Sequence, residues 1–329
     1  MIVLGIEGTA HTFAVGIIEM TTNGMKILAE DKDVYKPKKG SGIHPTEAAD
    51  HHRQASAEVL LGALDKSGKT FKDVDLVAYS AGPGLPPCLK ATMEFAGKLA
   101  KSEKKALLAV NHCIAHIEIG RELTKASDPI VLYVSGGNTQ VIGYAAERYR
   151  VFGETLDIPI GNAIDVFIRN TVGKYPGGPV MEELAKKGKY VELPYVVKGM
   201  DLSFSGIVTA ALKRYKENSK LINDLCFSFQ ENCYAMLTEV TERAMAHTGK
   251  VECLLTGGVA ASHRLQEMLE TMCHERDAEF YVVPKKLAGD NAIMIAYTGW
   301  LGYKHGQKLV RRPNFYQKWR TDEVDVLWM

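Results

Sequence analysis

His112 and His116 stand four residues apart in the run Asn111-His112-Cys113-Ile114-Ala115-His116. The apolar spacing around them predicts a helix from His112 to about Leu123, with Asn111 as its N-cap. On a helix, side chains four apart project from one face, so both imidazoles can ligate a single cation; the alternative is a solvated or hydrogen-bonded pair. Zinc proteases of the HExxH type need a glutamate after the first histidine as general base, and here that place is Cys113, which argues against hydrolysis. Asp290, in Ala288-Gly289-Asp290-Asn291, lies just before another expected helix. It offers a third ligand or an ordinary helix cap, and spacing leaves both open.

A second kind of chemistry is suggested by three turns that set glycine beside small hydroxyls directly after a strand. They are Gly8-Thr9, Ser135-Gly136-Gly137-Asn138-Thr139 and Thr256-Gly257-Gly258. Glycine lets backbone N–H groups approach an anion, and hydroxyls add donors, which is how phosphates are cradled. Glycine also ends strands for steric reasons, so the weight lies in finding three such turns. Neither a Walker A motif nor a dinucleotide GxGxxG follows a strand, which argues against a P-loop or Rossmann site. Asp165 in Gly161-Asn162-Ala163-Ile164-Asp165 and Glu182, just after Tyr175-Pro176-Gly177-Gly178-Pro179, are carboxylates near glycine turns. They can hold ribose hydroxyls or solvate a helix face. His51 and His52 lie in a charge-rich helix and read as part of its solvated face.

These residues need a scaffold of strands and helices. Ile2 to Ile6 and Phe13 to Glu19 read as a hairpin, and Ile130 to Val134 with Gln140 to Ala145 repeat the pattern, so duplicated domains are expected. Further strands are expected at 76–80, 107–110, 151–154, 253–256 and 279–282. Helices are expected at 45–64, 89–100, 162–172, 179–187, 224–247, 263–275 and 291–301. The alternation makes the class α/β with two sheets. The boundary is placed at Asp128-Pro129, giving domains 1–128 and 129–310, and the aperiodic, basic segment 311–329 reads as a tail or docking strap.

At 329 residues and 46% apolar content the chain can bury a full core, which excludes a disordered or fibrous protein. No apolar run reaches the roughly 18 to 20 residues of a membrane helix, and the start MIVLGIEG lacks the features of a signal peptide, so a cytoplasmic protein is expected. The six cysteines are scattered and read as reduced core thiols. A net charge of +1 leaves nucleic acid open as a partner, because lysine clusters such as Lys36 to Lys39, Lys101 to Lys105 and Lys186 to Lys189 can act locally.

Taken in order, GIEGTAHT, GPG at 82–84, NHCIAH, YVSGGNTQ at 133–140, GNAID, YPGGP, LSFSG at 202–206, TGGVA and GDNAIMIAY span residues 1 to 305. Together they resemble the archaeal and eukaryotic branch of the tRNA threonylcarbamoyladenosine synthase family, the TsaD-like proteins once named O-sialoglycoprotein endopeptidases. The resemblance implies an actin-like ATPase fold of two RNase H-like domains with a nucleotide in the cleft. It implies one metal ion, iron or zinc, on His112, His116, Tyr133 and Asp290. It sets ATP or threonylcarbamoyl-AMP against Tyr133, Val134, Ser135, Gly136, Gly137, Asp165, Gly178, Glu182 and Ser262. At Ser262 the family usually has asparagine; a hydroxyl is shorter and offers fewer hydrogen-bonding sites, so this contact is the one that differs.

The implied reaction moves a threonylcarbamoyl group from the adenylate to N6 of the adenosine that follows the tRNA anticodon. A cation can polarise the carbonyl while turn amides take charge on the phosphate. Glu7 and Asp165 are candidates for the general base. The implied partners are tRNA and a KEOPS-type complex with a small dimerising subunit, an atypical protein kinase and further subunits, with no membrane. Segment 311–329 would then link to or dock the kinase, and helices 45–64 and 89–100 would receive the small subunit. Competing readings are an ATP-hydrolysing or phosphotransferase protein of the same fold, which would not need the histidine pair, and a non-catalytic scaffold that positions RNA.

Overall fold

The computed structural model describes residues 1–37 and 42–329, so Lys38 and Lys39 of the first lysine cluster lie outside the described residues. Two compact units account for the chain. One comprises 1–119, 146–149 and 290–329, the other 120–145 and 150–289.

In the first unit, β1 (Ile2–Glu7), β2 (Thr12–Thr21), β3 (Gly24–Val34), β4 (Leu76–Gly82) and β5 (Ala106–Asn111) form a mixed sheet in the order β3-β2-β1-β4-β5. β1 pairs antiparallel with β2 and parallel with β4, which pairs parallel with β5. β4 is buried along its whole length, as its unbroken apolar run requires of an inner parallel strand. Helices α1 (Pro45–Ser67), α2 (Pro86–Ser102) and α3 (His112–Thr124) follow, the last five residues of α3 belonging to the second unit. α1 begins with Pro at its first position and stops at Gly68, whose φ of 63° closes a left-handed cap.

The second unit holds β6 (Ile130–Val134), β7 (Thr139–Ala145), most of β8 (Arg148–Glu154), β11 (Glu252–Thr256) and β12 (Glu279–Val282) in the order β12-β11-β6-β7-β8. A short ribbon of β9 (Val197–Lys198) and β10 (Asp201–Leu202) forms a sheet of its own, bridged at Leu202 to Thr155 just after β8. Read from β8, the strand order repeats that of the first sheet, and its β6–β7 hairpin is antiparallel while β6–β11 and β11–β12 are parallel. The duplication read from two hairpins therefore extends to whole sheets. The helices are α4 (Ile160–Thr171), α5 (Gly177–Ala185), α6 (Ser205–Glu217), α7 (Ile222–Thr248), α8 (His263–Glu275) and the short α9 (Lys285–Ala288). Phe167 of α4 stacks on Phe229 of α7 with ring centres 5.2 Å apart, at the centre of a large apolar cluster.

The chain then returns to the first unit, which corrects the contiguous division at 128 and 310. Helix α10 (Ala292–Lys304) is apolar nearly all round and lies against the first sheet. Gly5 of β1 makes this approach possible, since a Cβ there would fall 2.2 Å from the Ala292 carbonyl oxygen. Segment 311–329 is likewise no free tail: Thr321, Val324 and Val326 are buried, and Tyr316 donates its amide to the Ala81 carbonyl at 2.7 Å. Among the described residues, no helix is long and apolar enough to cross a membrane.

Candidate metal centre and nucleotide-binding turns

The first unit gathers His112, His116 and Asp290. α3 starts where expected because the Asn111 carboxamide oxygen accepts from the amides of Cys113 and Ile114 at 2.9 and 3.1 Å, which aims the first turn. His112 and His116 then lie on one buried face, ring centres 4.7 Å apart. Asp290 is not the cap of the next helix. That role belongs to Asn291, whose side chain accepts from the Met294 amide at 2.9 Å, and the Asp290 carboxylate turns to the histidines instead. Its Oδ1 lies 3.5 Å from His112 Nε2 and 3.4 Å from His116 Nε2. One ligand atom from each of the three residues falls within 4.8 Å of the others. Two donors on a tetrahedral zinc at about 2.0–2.1 Å stand roughly 3.3–3.4 Å apart, so two imidazole nitrogens and a carboxylate oxygen at this spacing fit a transition-metal ion.

Glu7 supplies the second layer. It is fully buried at the end of β1; its Oε1 accepts from the Thr9 amide and hydroxyl at 2.7 and 2.6 Å, and its Oε2 lies 3.0 Å from His112 Nδ1. A carboxylate behind a ligating imidazole fixes the ring and makes its far nitrogen a better donor. Both carboxylate oxygens of Glu7 are thus engaged.

The buried charges of these groups act on one another. Burial works against the His112 imidazolium, yet the Glu7 charge and hydrogen bond, with Asp290, lift it to about 9. Burial lowers His116, helped by the charge of His112. Burial also opposes the Asp290 carboxylate, but the His116 hydrogen bond and the two histidine charges hold it well below the usual range. Cys113 is no nucleophile: burial pushes its thiol up to about 12, against a hydrogen bond with Thr321.

In the second unit, the turn after β6 is closed by the Ser135 amide donating to the Asn138 carbonyl at 2.8 Å. The Ser135 hydroxyl accepts from the amides of Gly137 and Asn138 at 3.2 and 3.0 Å. A Cβ at Gly136, Gly137 or Gly178 would meet no protein atom within 4 Å, so glycine there is not demanded by packing. The start of α4 is tied to this turn, because Gly161 donates its amide to the Ser135 carbonyl at 3.2 Å and Ile160 donates to the Thr139 hydroxyl at 2.8 Å. Farther along α4, Asp165 Oδ1 accepts from the Gly177 amide at 2.6 Å, and Glu182 of α5 accepts from the His263 amide at 3.2 Å, beside Ser262. Ser262 is buried and its hydroxyl faces that of Tyr234. Asp165 on α4 thus holds the start of α5, and Glu182 on α5 holds the start of α8 beside Ser262.

Three features were not read from the sequence. Tyr133 and Val134, named with the adenylate, are wholly buried on β6 in the second unit, while the three other metal-ligand candidates lie in the first. The Gly8-Thr9 turn differs from a phosphate cradle, because the Gly8 amide donates to the Ser80 hydroxyl at 3.1 Å and the Thr9 amide to Glu7. Asp157 accepts from the amides of Phe204 and Ser205 at 2.9 and 3.0 Å and from both flanking serine hydroxyls, which explains the LSFSG run as a docking point for the loop before α4.

A family model described as tRNA N6-adenosine threonylcarbamoyltransferase, TsaD, matches residues 26–297. The chain belongs to that family. Across its full length it is 52% identical to a protein of that name from Thermococcus kodakarensis, covering all of that protein. It is 50% identical to a probable bifunctional tRNA threonylcarbamoyladenosine biosynthesis protein from Methanocaldococcus jannaschii, of which it spans 61%. In fold it is similar to full-length HypF, with a TM-score of 0.64, 12% identity, and coverage of 92% of this chain and 46% of that one. This is the actin-like ATPase fold, an α/β architecture that by itself says nothing of the reaction. The family match contains His112, His116 and Asp290, and Glu7 precedes it.

Proposed function

We propose that this family member transfers a threonylcarbamoyl group from threonylcarbamoyl-AMP to N6 of the tRNA adenosine 3′ of the anticodon, with one iron or zinc ion on His112, His116 and Asp290. The observation that carries the metal part is the convergence of those three donors on one another, with Glu7 behind His112. Bound there, the ion would supply Lewis acidity toward the acyl carbonyl and a template for its orientation.

The chain's own residues do the rest. Glu7 holds the His112 ring so that Nε2 faces Asp290. The turn Ser135 to Asn138, with Val134 before it, takes the adenylate phosphate; ATP would sit on the same turn. Gly178, Asp165 and Glu182 receive the ribose side, and Ser262 takes the place of the usual amide. Asp165 stays a candidate for the base that removes the N6 proton. The protein works in the cytoplasm within a KEOPS-type assembly with a small dimerising subunit, an atypical kinase and further subunits. The bifunctional name of the Methanocaldococcus relative supports a linked second activity. A net charge of +1 supports borrowed positive surface for tRNA.

Mass analysis of nucleosides tests this reading. The chain is incubated with tRNA and threonylcarbamoyl-AMP, alone and with the partner subunits. Threonylcarbamoyladenosine should form in both cases and faster in the assembly. No product under either condition would refute the reaction, and equal rates would refute the dependence on partners.

A further inference from the structure

The Gly82-Pro83-Gly84 turn and the segment 311–329 have no part in the reaction as described, yet the structure binds them to each other. Gly82, at the end of β4, has a φ of 145°, and a Cβ there would lie 1.9 Å from the Tyr316 carbonyl oxygen. No residue with a side chain would let the segment pass. Gly84 donates its amide to the Gln317 carbonyl at 3.4 Å. Deeper in β4, the buried Tyr79 hydroxyl donates to the Asn314 carbonyl at 2.7 Å and accepts from the Asn314 amide at 3.2 Å.

Both ends of this contact lead to His112. On the far side of the turn, Leu85 donates its amide to the Thr9 carbonyl at 2.8 Å, and a Cβ on Gly84 would fall 2.6 Å from the same oxygen. Thr9 in turn holds Glu7, the carboxylate behind His112. The segment's second arm reaches the first turn of α3. Asn111, whose oxygen caps that helix, donates its side-chain amide to the Trp319 carbonyl at 3.0 Å, and Thr321, 1% exposed, hydrogen bonds with the Cys113 thiol.

We infer that residues 314–321 are a positioning strap for the metal centre: they brace the Gly82–Gly84 turn behind Thr9 and Glu7 and the start of α3 beside His112, so cation affinity depends on them although none is a ligand. The inference rests on the reading of His112, His116 and Asp290 as metal ligands. The physical reason is that ligands must be held within about 0.5 Å of their working geometry, and loss of outer partners weakens metal binding by about tenfold to hundredfold.

The test is a zinc titration against a chromogenic chelator, run beside a thermal melt. Tyr79→Phe removes the grip on Asn314, Gly82→Ala displaces Tyr316, and Thr321→Val removes the contact with Cys113. Asp325→Asn is the control, since Asp325 pairs only at 3.9 Å with Arg148, beyond both arms. Each strap variant should bind zinc about tenfold to hundredfold more weakly, with Asp325→Asn unchanged. If Gly82→Ala does not fold, the other two variants decide. A lower melting temperature with unaltered zinc affinity in Tyr79→Phe and Thr321→Val would reduce the strap to a general stabiliser and overturn the inference. His116→Ala, titrated alongside, separates the two claims: if it too binds zinc like the parent chain, the metal site itself is misassigned.

Discussion

The two units share one strand order and differ in what their strand ends carry. In the first, the strand ends and the helices after them present buried side chains, with Asp290 turned to His112 and His116 and Glu7 to His112. In the second, the equivalent hairpin turn presents mostly backbone, and a side chain added at Gly136 or Gly137 would touch nothing. One frame thus yields a side-chain site fit for a cation and a backbone site fit for an anion. Duplicating a fold copies positions; the residues set on them decide the chemistry.

Loss of a histidine should have the largest effect. His116→Ala should lose the bound ion and slow transfer by about three orders of magnitude or more, because Lewis-acid stabilisation worth several kcal/mol disappears. Nucleotide affinity should stay as it was, since every residue proposed to touch the nucleotide lies in the other unit. Metal analysis, a rate measurement and calorimetry check the three parts. Full activity without metal would remove the cation from the account.

Glu7→Gln sharpens the assignment of Glu7 to orientation. An amide cannot support the His112 ring as a carboxylate does, so metal affinity should fall by about tenfold to hundredfold while the fold persists. If metal affinity is unaltered and only transfer fails, Glu7 acts on the substrate instead.

The smallest effect is expected at the turn. Gly137→Val should fold normally, because nothing crowds that position, and should weaken binding of ATP or a stable adenylate analogue by about tenfold, near 1.4 kcal/mol. Metal content should not change. Unchanged nucleotide affinity would move the phosphate away from Ser135–Asn138.

Much of this was legible in the residues. Short apolar runs joined by small polar turns announced both hairpins, and the strand at 279–282 and helix at 263–275 fall where expected. The i, i+4 histidines were readable because helix geometry alone sets them on one face. What stayed hidden depends on contacts distant in sequence. β3 reads as a charged, irregular stretch because it is an edge strand in which only Ala29 is buried. α6 escapes because Ser203 and Ser205 look like a loop until Asp157, 46 and 48 residues away, is seen to hold them. The return of α10 and of 311–329 to the first unit leaves no local mark, since a helix buried all round carries no polar stripe to show which sheet it covers. Asp290 stayed ambiguous for a subtler reason. Either it or Asn291 can cap a helix, and only the Met294 amide, bonded to Asn291, decides between them.

If one cation sits on the residues the first unit brings together, anomalous diffraction at the metal edge will locate it. Crystals of the chain purified without chelator should give one strong peak about 2.0–2.2 Å from His112 Nε2, His116 Nε2 and an Asp290 carboxylate oxygen. A peak elsewhere, or none in crystals of protein that still transfers the threonylcarbamoyl group, would contradict it.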